Sequence, residues 1–156
     1  GITTSFYGHF VAGQIYNSLI EYHWKTLEPI PELAESWEIS EDGLEYTFHL
    51  VEDAKWHDGV PFTSADVKYT FEEILLPYHP RGNRTFGFID FETPDEHTIV
   101  FRLDHPYAPL INFLTLWYAP ILPKHIRVAG IRSRIKPSTG GPFIEYPRSP
   151  LRTFEI

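Results

Sequence analysis

Residues 33–72 read LAESWEISEDGLEYTFHLVEDAKWHDGVPFTSADVKYTFE, and the fold is decided in this stretch. Tyr46, Phe48 and Leu50 alternate with Thr47 and His49, the period of a strand with one face buried. Glu41-Asp42-Gly43 before that run and His57-Asp58-Gly59 after it are turn signals, because glycine accepts a positive φ and aspartate bonds nearby backbone. The stretch reads as strand, turn, short strand, turn, helix. Thr63 or Ser64 caps the helix, and Asp66 three residues after Thr63 comes close to a capping box. Val67, Phe71, Ile74 and Leu75 then share one helical face, and Pro77 is expected to stop the helix.

Before this stretch, Thr3, Thr4 and Ser5 are candidate caps for a first helix. Its apolar stripe would be Val11, Ile15 and Leu19, widened by Phe10, Tyr16 and Ile20, with Gly13 weakening it. Pro29 and Pro31 around Ile30 make an extended connection to a short amphipathic piece at Leu33 to Trp37. After it, Pro77 to Arg84 reads as a loop. Phe86 to Glu92 and His97 to Leu103 read as a hairpin turned at Pro94-Asp95-Glu96, with Ile99, Phe101 and Leu103 on one face and Arg102 on the other. Pro109 fits the first turn of a helix to about Leu116. From Ile126 the composition shifts to basic residues and prolines.

The chain has 156 residues, 42% hydrophobic and 22% charged, a globular composition with room for one sizeable core. Thirteen basic against 21 acidic residues give a net charge of −8, which argues against nucleic acid and against adsorption to an anionic membrane. The absence of cysteine excludes disulfides, thiolate metal sites and cysteine nucleophiles. No run approaches the roughly 18 apolar residues of a spanning helix, and no signal segment opens the chain. It starts at Gly1 and contains no methionine, so it is expected to be a processed or partial chain.

Catalytic readings fare poorly. Eight histidines stand scattered at positions 9, 23, 49, 57, 79, 97, 105 and 125, without metal-ligand spacing. Asp58, Asp66 and Glu72 could be imagined as an acid–base set, but a turn, a first helical turn and a helix surface explain each one. There is no GxSxG, and Gly140-Gly141 lacks the residues of a phosphate loop. The sequence therefore predicts no catalytic set, no metal and no cofactor. Trp117-Tyr118 are either core aromatics or a wall that grips a ligand by its flat faces.

The run LAESWEISEDGLEYTFHL followed by AKWHDGVPFTSADVKYTFE resembles the signature of the family 5 extracellular solute-binding proteins, receptors of peptide and nickel ABC transporters. TTSFYGHFVAGQIYNSLIEY resembles the helix before that signature, and FETPDEHTIVFRLDHPYAPLINFL the hairpin and helix after it. The resemblance runs from about Thr3 to His125; beyond it, Thr139-Gly140-Gly141-Pro142 stands where the family carries a Gly-Thr-Gly-Pro turn.

The resemblance implies an α/β fold of the periplasmic-binding-protein-like II type, here part of lobe I. Residues 1–31 would be a ligand-facing segment, 32–125 an extra subdomain and 126–156 a return segment. The implied function is capture of dipeptides or oligopeptides for an ABC permease, outside the cytoplasm, free or lipid-anchored, with no bond made or broken. Thr4, Ser5, Phe6, Tyr7, His9, Trp117 and Tyr118 would lie at the ligand cleft, the first two also serving as caps in the helical reading. Receptors on the same scaffold for chelated nickel, haem-like compounds or sugars stay open as alternatives. So do, from other classes, a carboxylate- or histidine-dependent hydrolase and a stand-alone interaction module. The family's members are several times longer, so a fragment that binds solute weakly by itself is expected.

Overall fold

A computed structural model describes residues 15–115, 118–126 and 144–145. Its centre is a four-stranded antiparallel sheet in the order β3-β4-β7-β6, built from β3 (Ala34–Ile39), β4 (Glu45–Leu50), β6 (Ile89–Asp95) and β7 (Thr98–Leu103). Strand β4 follows the alternation of its sequence: Tyr46, Phe48 and Leu50 are buried, and Thr47 and His49 are half-buried on the other face. The amphipathic piece expected at Leu33 to Trp37 is the edge strand β3, which pairs Trp37 with Phe48 and Ile39 with Tyr46. Their connection closes as expected, with Gly43 at φ +69° and Asp42 Oδ1 accepting from Ser40 Oγ at 2.5 Å and Leu44 N at 3.0 Å.

One helical run covers the inner face. It comprises α1 (Ser64–Tyr69), a π-helical segment (Thr70–Leu75) and α2 (Leu76–Tyr78). Thr63 N–H donates to Asp66 Oδ2 at 3.0 Å, so Thr63, one of the two expected candidates, is the capping residue. Pro77 does not stop the helix. The chain widens into the π segment just before it, where Leu76 N–H reaches back five residues to Phe71 O, and Pro77 then sits inside the last turn. Pro77 has no N–H to place, and the wider turn accommodates its ring. The four-residue stripe is rotated accordingly: Val67, Phe71 and Leu75 are buried and Ile74 is only half-buried.

Phe71 is the hub of the core. Its ring centroid lies 5.0 Å from Phe86, 5.0 Å from Phe91 and 5.1 Å from Phe101. Ile99, Phe101 and Leu103 all face this core, and Arg102 projects outward to ion pairs with Glu45 and Glu92. Two boundaries differ from the sequence expectation. The stretch expected to be a loop carries helix α3 (Gly82–Phe86), and the strand expected from Phe86 starts at Ile89. Gly82 is required there: a Cβ would come within 1.8 Å of the Leu75 carbonyl oxygen.

Two small sheets flank the core. The stripe expected to continue a helix through Leu19 and Ile20 instead enters β1 (Ile20–Tyr22), which pairs with β2 (Pro29–Pro31). Leu19 and Ile20 are fully buried, so the apolar pattern reflects a two-sided burial that mimics helical spacing. Strand β5 (Lys55–Trp56) pairs with β8 (Ile144–Glu145), which places these two residues next to the strand that precedes the His57-Asp58-Gly59 turn. Helix α4 (Leu110–Phe113) is capped at Pro109 and ends earlier than the sequence suggests.

Candidate functional site

The β1–β2 hairpin and the end of α4 enclose an open groove of about 560 Å³ lined by Tyr22, Leu27, Pro29, Asn112, Thr115 and Tyr118. Tyr22 sits on the last position of β1, and its hydroxyl donates to Asn112 Oδ1 across 90 residues of sequence. The helix end presents the opposite wall. Tyr118 N–H bonds Thr115 O at 2.9 Å, and its ring packs edge-on against Phe113 at 4.9 Å. Leu27 reaches the groove from a turn in which its own N–H donates to His23 O at 2.8 Å. That turn holds Leu27 at φ +58°, a conformation disfavoured for a side chain of this kind.

Among the described residues, no ionisable side chain apart from tyrosine phenols lines this groove. Its chemistry is therefore two phenols, one carboxamide, one hydroxyl and two apolar surfaces. Such a wall holds flat or apolar groups and offers neutral hydrogen bonds, without a charge to fix an ionic terminus.

Of the residues assigned to ligand from the sequence, Tyr118 stands in the groove. Thr4, Ser5, Phe6, Tyr7, His9 and Trp117 lie outside the described residues. Tyr22, Asn112 and Thr115 were not singled out from the sequence. Their only signal is side-chain chemistry, and nothing in the local pattern links position 22 to position 112.

The acidic residues weighed for catalysis each have a structural partner. Asp66 is buried and accepts from Trp56 Nε1 at 3.2 Å, Thr63 N at 3.0 Å and Lys124 N at 2.7 Å. It thus ties the short strand, the helix start and the 121–126 segment together. Asp58 accepts from Val60 N and lies 2.7 Å from His125 Nε2, and that bond holds its carboxyl below the usual carboxylate range. Glu72 pairs with Lys68 at 3.4 Å on the helix surface. A second open groove, of about 510 Å³, gathers Glu35, Glu52, Asp95, Glu96, His49 and His97. Among the described residues, no three His, Asp or Glu side chains converge to hold a metal ion.

The described residues form a mixed sheet-and-helix body with an open groove beside the β1–β2 hairpin. Residues 28–148 match the bacterial extracellular solute-binding proteins, family 5 Middle, and the chain belongs to that family. It is 32% identical over 154 residues to the dipeptide-binding protein of Escherichia coli K12, covering 83% of this chain and 29% of that protein. In three dimensions it is similar to the periplasmic binding protein AgaA of A. tumefaciens R10 in complex with agropinic acid, with a TM-score of 0.67, 42% identity, and coverage of 74% of this chain and 24% of AgaA. It is also similar to NikZ of Campylobacter jejuni in complex with Ni(L-His), with a TM-score of 0.62, 31% identity, and coverage of 72% of this chain and 22% of NikZ. The chain thus spans less than a third of the length of these relatives.

Proposed function

We propose that this chain is part of the first lobe of a receptor that captures a dipeptide or oligopeptide outside the cytoplasmic membrane and presents it to an ABC permease. The observation that carries the peptide reading is the 32% identity to a dipeptide-binding protein over 83% of the chain. In this reading residues 1–31 form the ligand-facing segment, residues 32–125 the extra subdomain and residues 126–156 the return segment. Thr4, Ser5, Phe6, Tyr7, His9 and Trp117 join Tyr118 at the cleft, and a second lobe closes over the solute by a hinge motion. The neutral wall of Tyr22, Asn112, Thr115 and Tyr118 supports contact with a side chain or peptide backbone, and leaves charged termini to groups elsewhere in the protein.

A second reading is favoured by the 42% identity to AgaA: an opine, or with NikZ a nickel chelate, on the same scaffold. Calorimetric titration of the intact protein with a dipeptide, agropinic acid and Ni(L-His) separates these readings. Saturable binding of the dipeptide, with the other two weaker by tenfold or more, supports the peptide reading. The reverse order replaces it. Tyr118→Ala should weaken the preferred solute by roughly tenfold, about 1.4 kcal/mol, with little change in folding stability.

A further inference from the structure

Hydrogen bonds within the groove leave its polar atoms with unequal roles. The Tyr22 phenol donates to Asn112 Oδ1, so its single proton is spent and its oxygen turns only lone pairs to a solute. Thr115 Oγ1 donates to the main-chain oxygen of Asn112 at 3.3 Å, and its hydroxyl is likewise left as an acceptor. With Oδ1 occupied, Asn112 offers both N–H bonds of Nδ2, and among the described residues nothing accepts them. Asn112 is exposed on α4, so this donor is open to the groove that it lines.

The groove thus sets one donor, Asn112 Nδ2, among acceptors on Tyr22 and Thr115. A carboxamide fits that order, because its oxygen accepts and its nitrogen donates. A carboxylate of the same shape only accepts. It would meet the lone pairs of Tyr22 and Thr115 with no proton between them, and no cation lines the groove to offset its desolvation. The hairpin's lysine, Lys25, is held 4.5 Å above the Trp24 ring and is not among the lining residues. The apolar parts agree: Leu27 and Pro29 offer surface to a methylene stem, and the two tyrosine rings offer flat faces to a planar head.

We propose that this groove is a subsite for a carboxamide side chain of the solute, an assignment that rests on the solute-capture reading. Asn112 Nδ2 is the group that meets the solute's amide oxygen, and Tyr22 is the residue that positions it. The side chain lodged here is that of asparagine or glutamine, and aspartate or glutamate is rejected. Tyr22 acts through Asn112. Its bond fixes which end of the carboxamide faces the solute; without the hydroxyl that group turns freely, and donor and acceptor exchange places.

Two measurements on the intact protein test this, and the first needs no peptide. In ¹⁵N-labelled protein the Asn112 Nδ2 resonances are assigned by their loss in Asn112→Ala, a change at an exposed position. Acetamide should shift them saturably, and acetate at the same concentrations should not. Calorimetric titration then compares Ala-Gln with Ala-Glu, which differ only in amide against carboxylate. The wild type should bind Ala-Gln about tenfold more tightly, the worth of one matched hydrogen bond. Asn112→Ala should abolish that preference. Tyr22→Phe should reduce it and weaken the acetamide response while leaving urea unfolding unchanged, which a merely structural role for Tyr22 would not do. An equal response of Asn112 to acetamide and acetate, or an affinity for Ala-Glu that matches or exceeds that for Ala-Gln, overturns the subsite. If acetamide shifts Asn112 but neither dipeptide binds, the donor assignment is upheld and the peptide-capture reading fails.

Discussion

In the four-stranded sheet and the helical run that covers it, Phe48, Phe71, Phe91 and Phe101 are at most 1% exposed, whereas the β1–β2 hairpin holds Trp24 at 73% and Leu27 at 71% exposure. The sheet's aromatic rings touch one another at about 5 Å, from three strands and a helix. In the hairpin's turn Trp24 makes local contacts: it stacks on His23 and carries Lys25 Nζ 4.5 Å above its ring. The backbone differs in the same sense. The sheet turns on Gly43 at φ +69°, while the hairpin turns on Leu27 at φ +58°. A region that maximises burial and relaxed geometry is a scaffold. One that keeps apolar surface open and tolerates backbone strain has been shaped by something besides its own stability.

The contrast can be broken most directly in the core. Phe71→Ala removes the ring shared by three neighbours and should cost about 3–5 kcal/mol, read from urea denaturation. A cost under about 1 kcal/mol would show that the cluster is loosely packed and that the two regions do not differ as described.

Asp66 tests whether buried polar groups of the scaffold are equally committed. Asp66→Ala strands three donors on three different segments and should cost about 2–3 kcal/mol. Asp66→Asn should recover part of that, since the amide oxygen still accepts. Equal losses for the two variants would point to the charge rather than to the hydrogen bonds.

In the hairpin the expected sign reverses. Leu27→Gly relieves the positive φ and gives up little burial, so it should be neutral or stabilising by up to about 1 kcal/mol. The same variant should weaken solute binding if Leu27 serves the groove. Substantial destabilisation would mean that the exposed leucine is structural after all.

The smallest effect is electrostatic. Asp58 is held below the usual carboxylate range chiefly by its bond to His125. Its folded-state value is depressed, so its contribution is present above the unfolded value and is lost as pH falls through the folded one. Asp58→Asn should therefore flatten the acid limb of thermal stability against pH and leave the neutral plateau nearly unchanged. An unaltered acid limb would show that the Asp58–His125 pair is as dispensable as a surface ion pair.

Local pattern made much of this fold legible. The alternation at Tyr46, Phe48 and Leu50, the glycine turns and the Thr63 cap are short-range features, and each determines its own backbone regardless of what lies across the molecule. The resemblance carried by residues 33–72 added the family. Tertiary structure decided the rest. Leu19 and Ile20 are spaced as a helix would space them, yet pairing with Pro31 makes a strand there. Pro77 reads as a stop, yet a widened turn carries the helix past it. The groove exists because Tyr22 meets Asn112 across 90 residues, and Asp66 is fully bonded because Lys124 returns to it across 58. Periodicity reports which faces are apolar; it holds no information about which distant donor a polar group will meet, and only packing settles that.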